Sequence, residues 1–312
     1  MRRINEEPLF AVDPTYDKVF KEIFYPGSPE SKQNLIRLIN SVFAYKKRPL
    51  IVDLTPAPQD LSILAPTLNS RCCRIDISAI DDQGRALNIE LQRGEEHAFF
   101  ARSFFHGARL YASQLGPASS YATLKQTVII NILDFILFNT PNAKNLFLST
   151  HEIVCVELNQ QLRESPISIF FLELPKLDSL TETSSLRTWA TLLANRKKDE
   201  RYLMENINEC DKAFALAKQM SLDPAITAAF KEHELWLKDF NIDIEAERAY
   251  AQKLGMDEGM KEGMKEGIKE GIKEGEEIGI IKVAREMLKK SMPEDEISKL
   301  TGLSSDKLKK LS

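Results

Sequence analysis

The sequence predicts an α/β protein, a mixed sheet among helices followed by a helical region and a helical tail. Three observations carry that expectation. Apolar residues recur at helical spacing before residue 45 and again from about 98 to 115. Between and after those stretches lie short runs that alternate or stay apolar, as strands do. The resulting order is helix, strand, strand, strand, helix, strand, then two more strands and helices, which suits a mixed sheet.

The elements follow in order. Val19, Phe20, Ile23 and Phe24 form a helical stripe that Pro26-Gly27 breaks. A second helix, Ser31 to Ala44, carries Leu35, Leu38, Ile39, Val42 and Phe43, with Ser28 or Ser31 as its cap. Ile51 to Thr55 is a short strand ended by Pro56 and Pro58. Arg71 to Arg93 reads as a hairpin whose loop holds Gly84 for the positive φ a tight connection needs. A helix from about Ala98 to Leu115 is closed by Gly116-Pro117, and Gln126 to Phe135 reads as a buried strand. Phe147 to Leu158 and Ile167 to Leu174 extend the sheet. From Ser184 the pattern turns helical, around Trp189, Leu192 and Leu193, then over Tyr202 to Met220 and Pro224 to Asp239.

Residues 255–279 repeat with period four, with glycine at 255, 259, 263, 267, 271, 275 and 279. On a helix such a stripe drifts by ~40° per repeat. Each interior glycine costs about 1 kcal/mol relative to alanine, so a lone helix here is marginal. Met256, Met260, Met264, Ile268 and Ile272 run beside the glycines, so a helix-to-helix contact between chains is one reading and a charged linker the other. The tail has a helix-turn-helix cadence in Ile297, Leu300, Gly302, Leu303 and Leu308. Lys307, Lys309 and Lys310 are its candidate phosphate contacts. No first helix of a three-helix unit stands out, which favours a helical hairpin packed on or capping the coil. The expected domains are a core at 1–180, a helical extension at 181–250, the repeat at 251–280 and the small helical tail at 281–312.

Composition narrows the function. The 312 residues are 43% hydrophobic, ample for a packed core, and 42 basic against 46 acidic residues leave a net charge of −4. Phosphate binding must therefore be local, through a few cations or a metal. Four cysteines make no disulfide framework in a chain this long, and scattered histidines with no CxxC pair argue against structural zinc. No signal-like opening or membrane-length apolar run is visible, so a reduced, cytoplasmic setting is expected.

The hairpin carries the chemistry. Alternation puts Ile75, Ile77 and Ala79 on one face with Leu87, Ile89 and Leu91, and Asp76 and Ser78 on the other with Asn88, Glu90 and Gln92. With Asp82-Gln83-Gly84 as the loop, Asp76 falls opposite Glu90; a four-residue loop shifts that register by one, and a bulge alters it. Two facing carboxylates repel, and a divalent cation between them removes the repulsion, with the Leu91 backbone carbonyl as a third hard oxygen. Such a cation polarises a phosphodiester and acidifies a bound water. The plain alternative is the solvated polar face of an ordinary hairpin.

Asp76, thirteen residues, then Glu90-Leu91-Gln92 resembles the PD-(D/E)XK nuclease signature as the Rpn family of recombination-promoting nucleases carries it, a group also described as PD-(D/E)XK transposases. Asp17-Lys18-Val19-Phe20-Lys21 with Phe24 is similar to that family's opening, and Arg102, Tyr111, Gln114-Leu115 and Tyr121 to its following helix and loop. The Gly-Met/Ile-Lys-Glu tract and the final Ile-x-Lys-Leu-Thr-Gly-Leu-Ser unit are similar to its tail. Specific motifs cover about 13–135, and low-complexity ones 250–312.

The resemblance implies a restriction-endonuclease-like αβββαβ core that cuts double-stranded DNA with Mg²⁺ or another divalent cation such as Mn²⁺ or Ca²⁺. Asp76 and Glu90 would ligate the metal, and Gln92 takes the place where the wider superfamily has lysine. Glutamine can orient water or a phosphate oxygen but brings no charge. Arg102 is the candidate for the scissile phosphate, Lys125 a weaker one, and Asp17 a candidate third acid. His106 is expected in the core or on the helix surface. The function expected is a low-specificity DNA endonuclease that promotes recombination; the alternative is a weak or inactive DNA-binding or assembly protein on the same fold. The repeat is the expected route to a homodimer or homo-oligomer.

Overall fold

The computed structural model describes residues 7–57, 76–94, 98–116, 119–161 and 163–311, with the backbone alone for 239–248. Helix α1 (Asp17–Phe24) buries Val19, Phe20, Ile23 and Phe24, the stripe its spacing predicts. Helix α2 (Pro29–Tyr45) starts at Ser28, whose Oγ accepts from the Ser31 N–H while Ser31 Oγ accepts in return from the Ser28 N–H.

Strand β1 (Leu54–Pro56) begins later than its sequence suggests. The amide of Asn40 donates to the Ile51 carbonyl and accepts from the Ile51 N–H, both at 2.9 Å, so a side chain takes the place of a ladder partner there. Strands β2 (Ile77–Asp81) and β3 (Ala86–Gln92) form the hairpin, and the expected first residues of its leading arm, 71–75, lie outside the described residues. Helix α3 (Phe99–Ala112) crosses to β4 (Thr127–Leu133), which lies parallel to β3.

Strand β5 (Leu148–His151) stops well short of Leu158, because the Cys155 N–H turns back to the Gln160 carbonyl through Asn159 at φ +48°. Strand β6 (Ile167–Glu173) completes the order β1-β2-β3-β4-β6-β5, parallel at β3-β4-β6 and antiparallel elsewhere. The core therefore has the expected αβββαβ order.

Helix α4 (Ser185–Ala194) ends at Asn195 in the left-handed region. The single helix expected over 202–220 is two, α5 (Glu200–Glu205) and α6 (Asp211–Leu222). Asn206 captures the Tyr202 carbonyl at 2.9 Å and diverts the chain into a short 3₁₀ turn between them. Helix α7 (Pro224–Lys289) does not end near Asp239 but runs on through the repeat. Helices α8 (Glu294–Thr301) and α9 (Ser305–Lys309) follow.

The sheet has two unequal coats. One face packs in a large core with α1, α2, α4 and α6, including Phe24, Phe43, Ile89, Ile130, Phe170 and Trp189. Burying each such side chain contributes ~2 kcal/mol. The other face is covered by α3, whose Phe99 packs with Ile129, Leu133, Phe135, Ile169 and Phe171. Gly107 lets α3 lie close, since a Cβ there would stand 2.5 Å from Ile129 Cδ1. Among the described residues no helix is long and apolar enough to cross a membrane.

The chain divides into two compact units, Met1–Glu232 and His233–Ser312. In the second, a Cβ on any repeat glycine would meet nothing within 4 Å, and Met256, Met260, Met264, Ile268 and Ile272 are exposed. The tail corrects one expectation. Ala284, Met287 and Leu288, on the last turns of α7, pack with Ile297 and Leu308, so the end of the long helix is the first helix of a three-helix unit. No cap or break separates it from the repeat, so the sequence carries no start signal for it.

Candidate nuclease site

The site starts from the hairpin loop. The Asp81 N–H donates to the Arg85 carbonyl, Gly84 takes φ +77°, and the Asp81 carboxylate grips Arg85 Nε at 2.6 Å. This three-residue connection fixes the register Ile77 to Ile89 and Ser78 to Asn88, and one step further brings Asp76 beside Glu90. Asp76 Oδ2 accepts from the Leu91 N–H at 2.9 Å. The N–H and C=O of one strand residue point the same way, so the Leu91 carbonyl also faces the Asp76 side.

Glu90 is 2% exposed. Its Oε1 accepts from Arg102 Nη2 at 2.9 Å, and its Oε2 lies 3.2 Å from His106 Nδ1. Both partners come from α3, one turn apart, on the face that rests on the sheet. Burial pushes the Asp76 carboxyl up to about 6, against the pull of the Leu91 N–H, and repulsion from Glu90 adds to the rise. Asp17 repels it as well and Lys21 attracts it; those two are paired with each other at 2.7 Å. The structure thus gathers Asp17, Asp76, Glu90 and Arg102 at one end of β2 and β3.

Other expected residues are placed differently. Gln92 lies on the Glu90 face two residues on, half-buried, with Nε2 donating to the Gly94 carbonyl at 3.2 Å. Lys125 is not in this group. It packs beside Gly84 at the hairpin loop, about 20 Å from Glu90 at ~3.3 Å per strand residue. Its place in the sequence, just before a strand parallel to β3, puts it at the start of that strand and not at its end. Lys307, Lys309 and Lys310 are exposed on and after α9, in the second unit. His106 is buried, as expected, but on the Glu90 carboxylate; its spacing of four from Arg102 is the signal that links them.

Among the described residues, no three or more His, Cys, Asp or Glu side chains form a group able to hold a metal. The donor set is instead two carboxylates and a backbone carbonyl. Hard oxygens around a like-charged pair, one buried and one half-buried, fit a divalent cation of the Mg²⁺ kind, the rest of whose shell would be water and substrate.

Fold and site together define a nuclease-like α/β protein. The family model described as PD-(D/E)XK nuclease family transposase matches residues 14–247, and the chain belongs to that family. Residues 279–312 match the C-terminal HTH domain of the Rpn/YhgA-like nuclease family, which spans the three-helix tail. No curated protein and no solved structure matches the chain.

Proposed function

We propose that this protein is a divalent-cation-dependent endonuclease that hydrolyses DNA phosphodiester bonds with low sequence specificity and so promotes recombination. The observation that supports the reading is the meeting of a half-buried Asp76, just ahead of β2, with the buried Glu90 of β3, the Leu91 N–H holding the Asp76 carboxylate. A cation held there, Mg²⁺ or a similar ion, supplies Lewis-acid polarisation of the phosphodiester and a more acidic water.

The chain's own groups do the rest. Leu91 N–H aims the Asp76 carboxylate, and His106 and Arg102 aim that of Glu90. Gln92, turning from Gly94, offers an amide to orient a water or a phosphate oxygen. Positive charge for the phosphate comes from Arg102, which the missing lysine leaves as the nearest guanidinium to Glu90. Asp17 extends the acidic cluster. Lys307, Lys309 and Lys310 on the tail bind DNA phosphates in a salt-dependent way that carries little sequence preference. The exposed methionine and isoleucine stripe beside the repeat glycines is the surface for a homodimer or homo-oligomer, which gives two sites for two strands. The reading places the protein in the cytoplasm, with its DNA.

Supercoiled plasmid incubated with the purified chain and Mg²⁺ or Mn²⁺ should convert to nicked and linear forms, and Glu90→Gln should abolish this while retaining the helical circular dichroism of the wild type. Plasmid left intact across several divalent cations, but still bound, would favour a DNA-binding or assembly protein on a nuclease fold.

A further inference from the structure

We infer that Phe105 is a stacking platform for an unpaired base of the strand that is cut, with Arg102 and Arg109 meeting the phosphates on either side. The inference rests on the nuclease reading and adds to it a substrate class: DNA that is single-stranded or opened beside the cut.

The charge pattern comes first. In a chain whose acidic residues outnumber its basic ones, no Asp or Glu occurs from His97 to Leu133, a stretch that contains all of α3. Within α3 the buried face is Phe99, Ser103, His106, Gly107 and Leu110. Arg102, Phe105 and Arg109 follow one another at steps of three and four, so they line a single stripe at the edge of that face. Arg102 bonds Glu90 at 2.9 Å, which sets the stripe beside the acids.

Phe105 is 52% exposed, and the Arg109 guanidinium lies 5.8 Å from its ring centroid. An exposed ring alone means little, as Phe104 shows. Phe104 is 53% exposed, but its neighbours at the same helical steps are Phe100, Ala101, Ala108 and Tyr111, with no cation among them. Phe105 has an arginine one turn before it and another one turn after. A strand of nucleic acid answers all three groups at once, with phosphates at the guanidinium ends and a base on the ring. A protein partner that covered the ring would have to bury both cations with it, at a cost in desolvation.

A base inside a duplex gives its faces to its neighbours in the stack, so it reaches Phe105 only when unpaired or turned out. Negative supercoiling, which strains a duplex towards opening, should therefore favour attack.

The test measures binding with cutting switched off. Fluorescence anisotropy of the full chain in EDTA compares labelled oligothymidine with a strand of abasic sites of the same length. Wild type should prefer the thymidine strand, and Phe105→Ala should weaken that binding about tenfold while leaving the abasic strand unchanged. Phe105→Trp should keep the preference, and so should Phe104→Ala. With Mn²⁺, wild type should cut a duplex containing a mismatched bubble faster than its fully paired counterpart, and Phe105→Ala should lose that difference. Wild type without a preference for thymidine over abasic strand, or Phe105→Ala retaining it, overturns the platform whether or not the protein cuts DNA. The full binding pattern with no cutting in any divalent cation would instead bring down the nuclease reading and leave the platform as a DNA-binding surface.

Discussion

The sheet buries two glutamates under the same coat, and they lead different lives. Glu173 ends β6, and Glu90 lies near the end of β3, two strands away on the same face. Glu173 accepts from the N–H groups of Leu137 and Phe138 at 2.9 and 3.4 Å and from Lys176 Nζ at 3.0 Å. Lys176, itself buried, also donates to the carbonyls of Phe138 and Ala143. Every donor on Glu173 belongs to the loop after β4 or the turn after β6, so the pair is a clasp that shapes those connections. Glu90 has two side-chain partners and faces a second carboxylate. The partners of Glu173 tie down connections of the chain, whereas those of Glu90 come from one helix and stand beside a second carboxylate, the setting that the proposed cation site uses.

The largest effect should come from exchanging the two roles. Glu90→Gln should lower the nicking rate by more than about a hundredfold, beyond what outer-shell partners of a metal carry, with a thermal midpoint close to wild type. Glu173→Gln should leave the nicking chemistry of the folded fraction intact and act on stability. Next is Lys176→Met, which strands Glu173 as a buried, unpaired charge. It should cost about 3–5 kcal/mol in urea unfolding at pH 7.

Asp76→Asn should act in the opposite direction on stability. The Asp76 carboxyl titrates near 6 in the folded chain and near the ordinary carboxylate value when unfolded. As pH rises from about 4 to 6 the unfolded chain releases its proton first, so the folded state loses stability across that window. The variant should therefore be more stable than wild type by ~2 kcal/mol at pH 8 and no more stable at pH 4, while losing nicking activity. The smallest effect concerns the neighbours. Asp17→Asn should lower the Asp76 titration and Lys21→Gln should raise it, each by a fraction of a pH unit as read by carboxyl NMR. No response to either would remove α1 from the site.

Much of this arrangement is legible from residues alone, and the limits have physical reasons. Period-two alternation and one glycine put Asp76 beside Glu90 only for a three-residue loop, since a four-residue loop shifts the pairing by one; the bond from Asp81 N–H to the Arg85 carbonyl decides for three. The partners of Glu90 are harder to foresee. Residues Ala86 to Glu90 are all buried, so β3 has no wet face whose polarity would reveal which side α3 covers. Arg102 is visible as a charged residue on a helix, but its pairing with Glu90 needs that choice of side, and His106 looks like any core histidine until it is made. The tail shows the same limit, since its first helix is hidden inside a longer one. Lys125 illustrates the converse: near in sequence to β4, it is separated from the acids by the length of a strand.

Gly107 ties these threads together, because it acts as a shim of zero thickness between α3 and β4. Arg102 and His106 stand on the turn just ahead of it, and their reaches of 2.9 and 3.2 Å to Glu90 leave little slack. A methyl group there would press on Ile129 and on Ile167, 2.5 and 3.1 Å away, and lift the helix from its bed. Both grips on the carboxylate would loosen together, so the one residue on that turn with no side chain sets how firmly the acid is held.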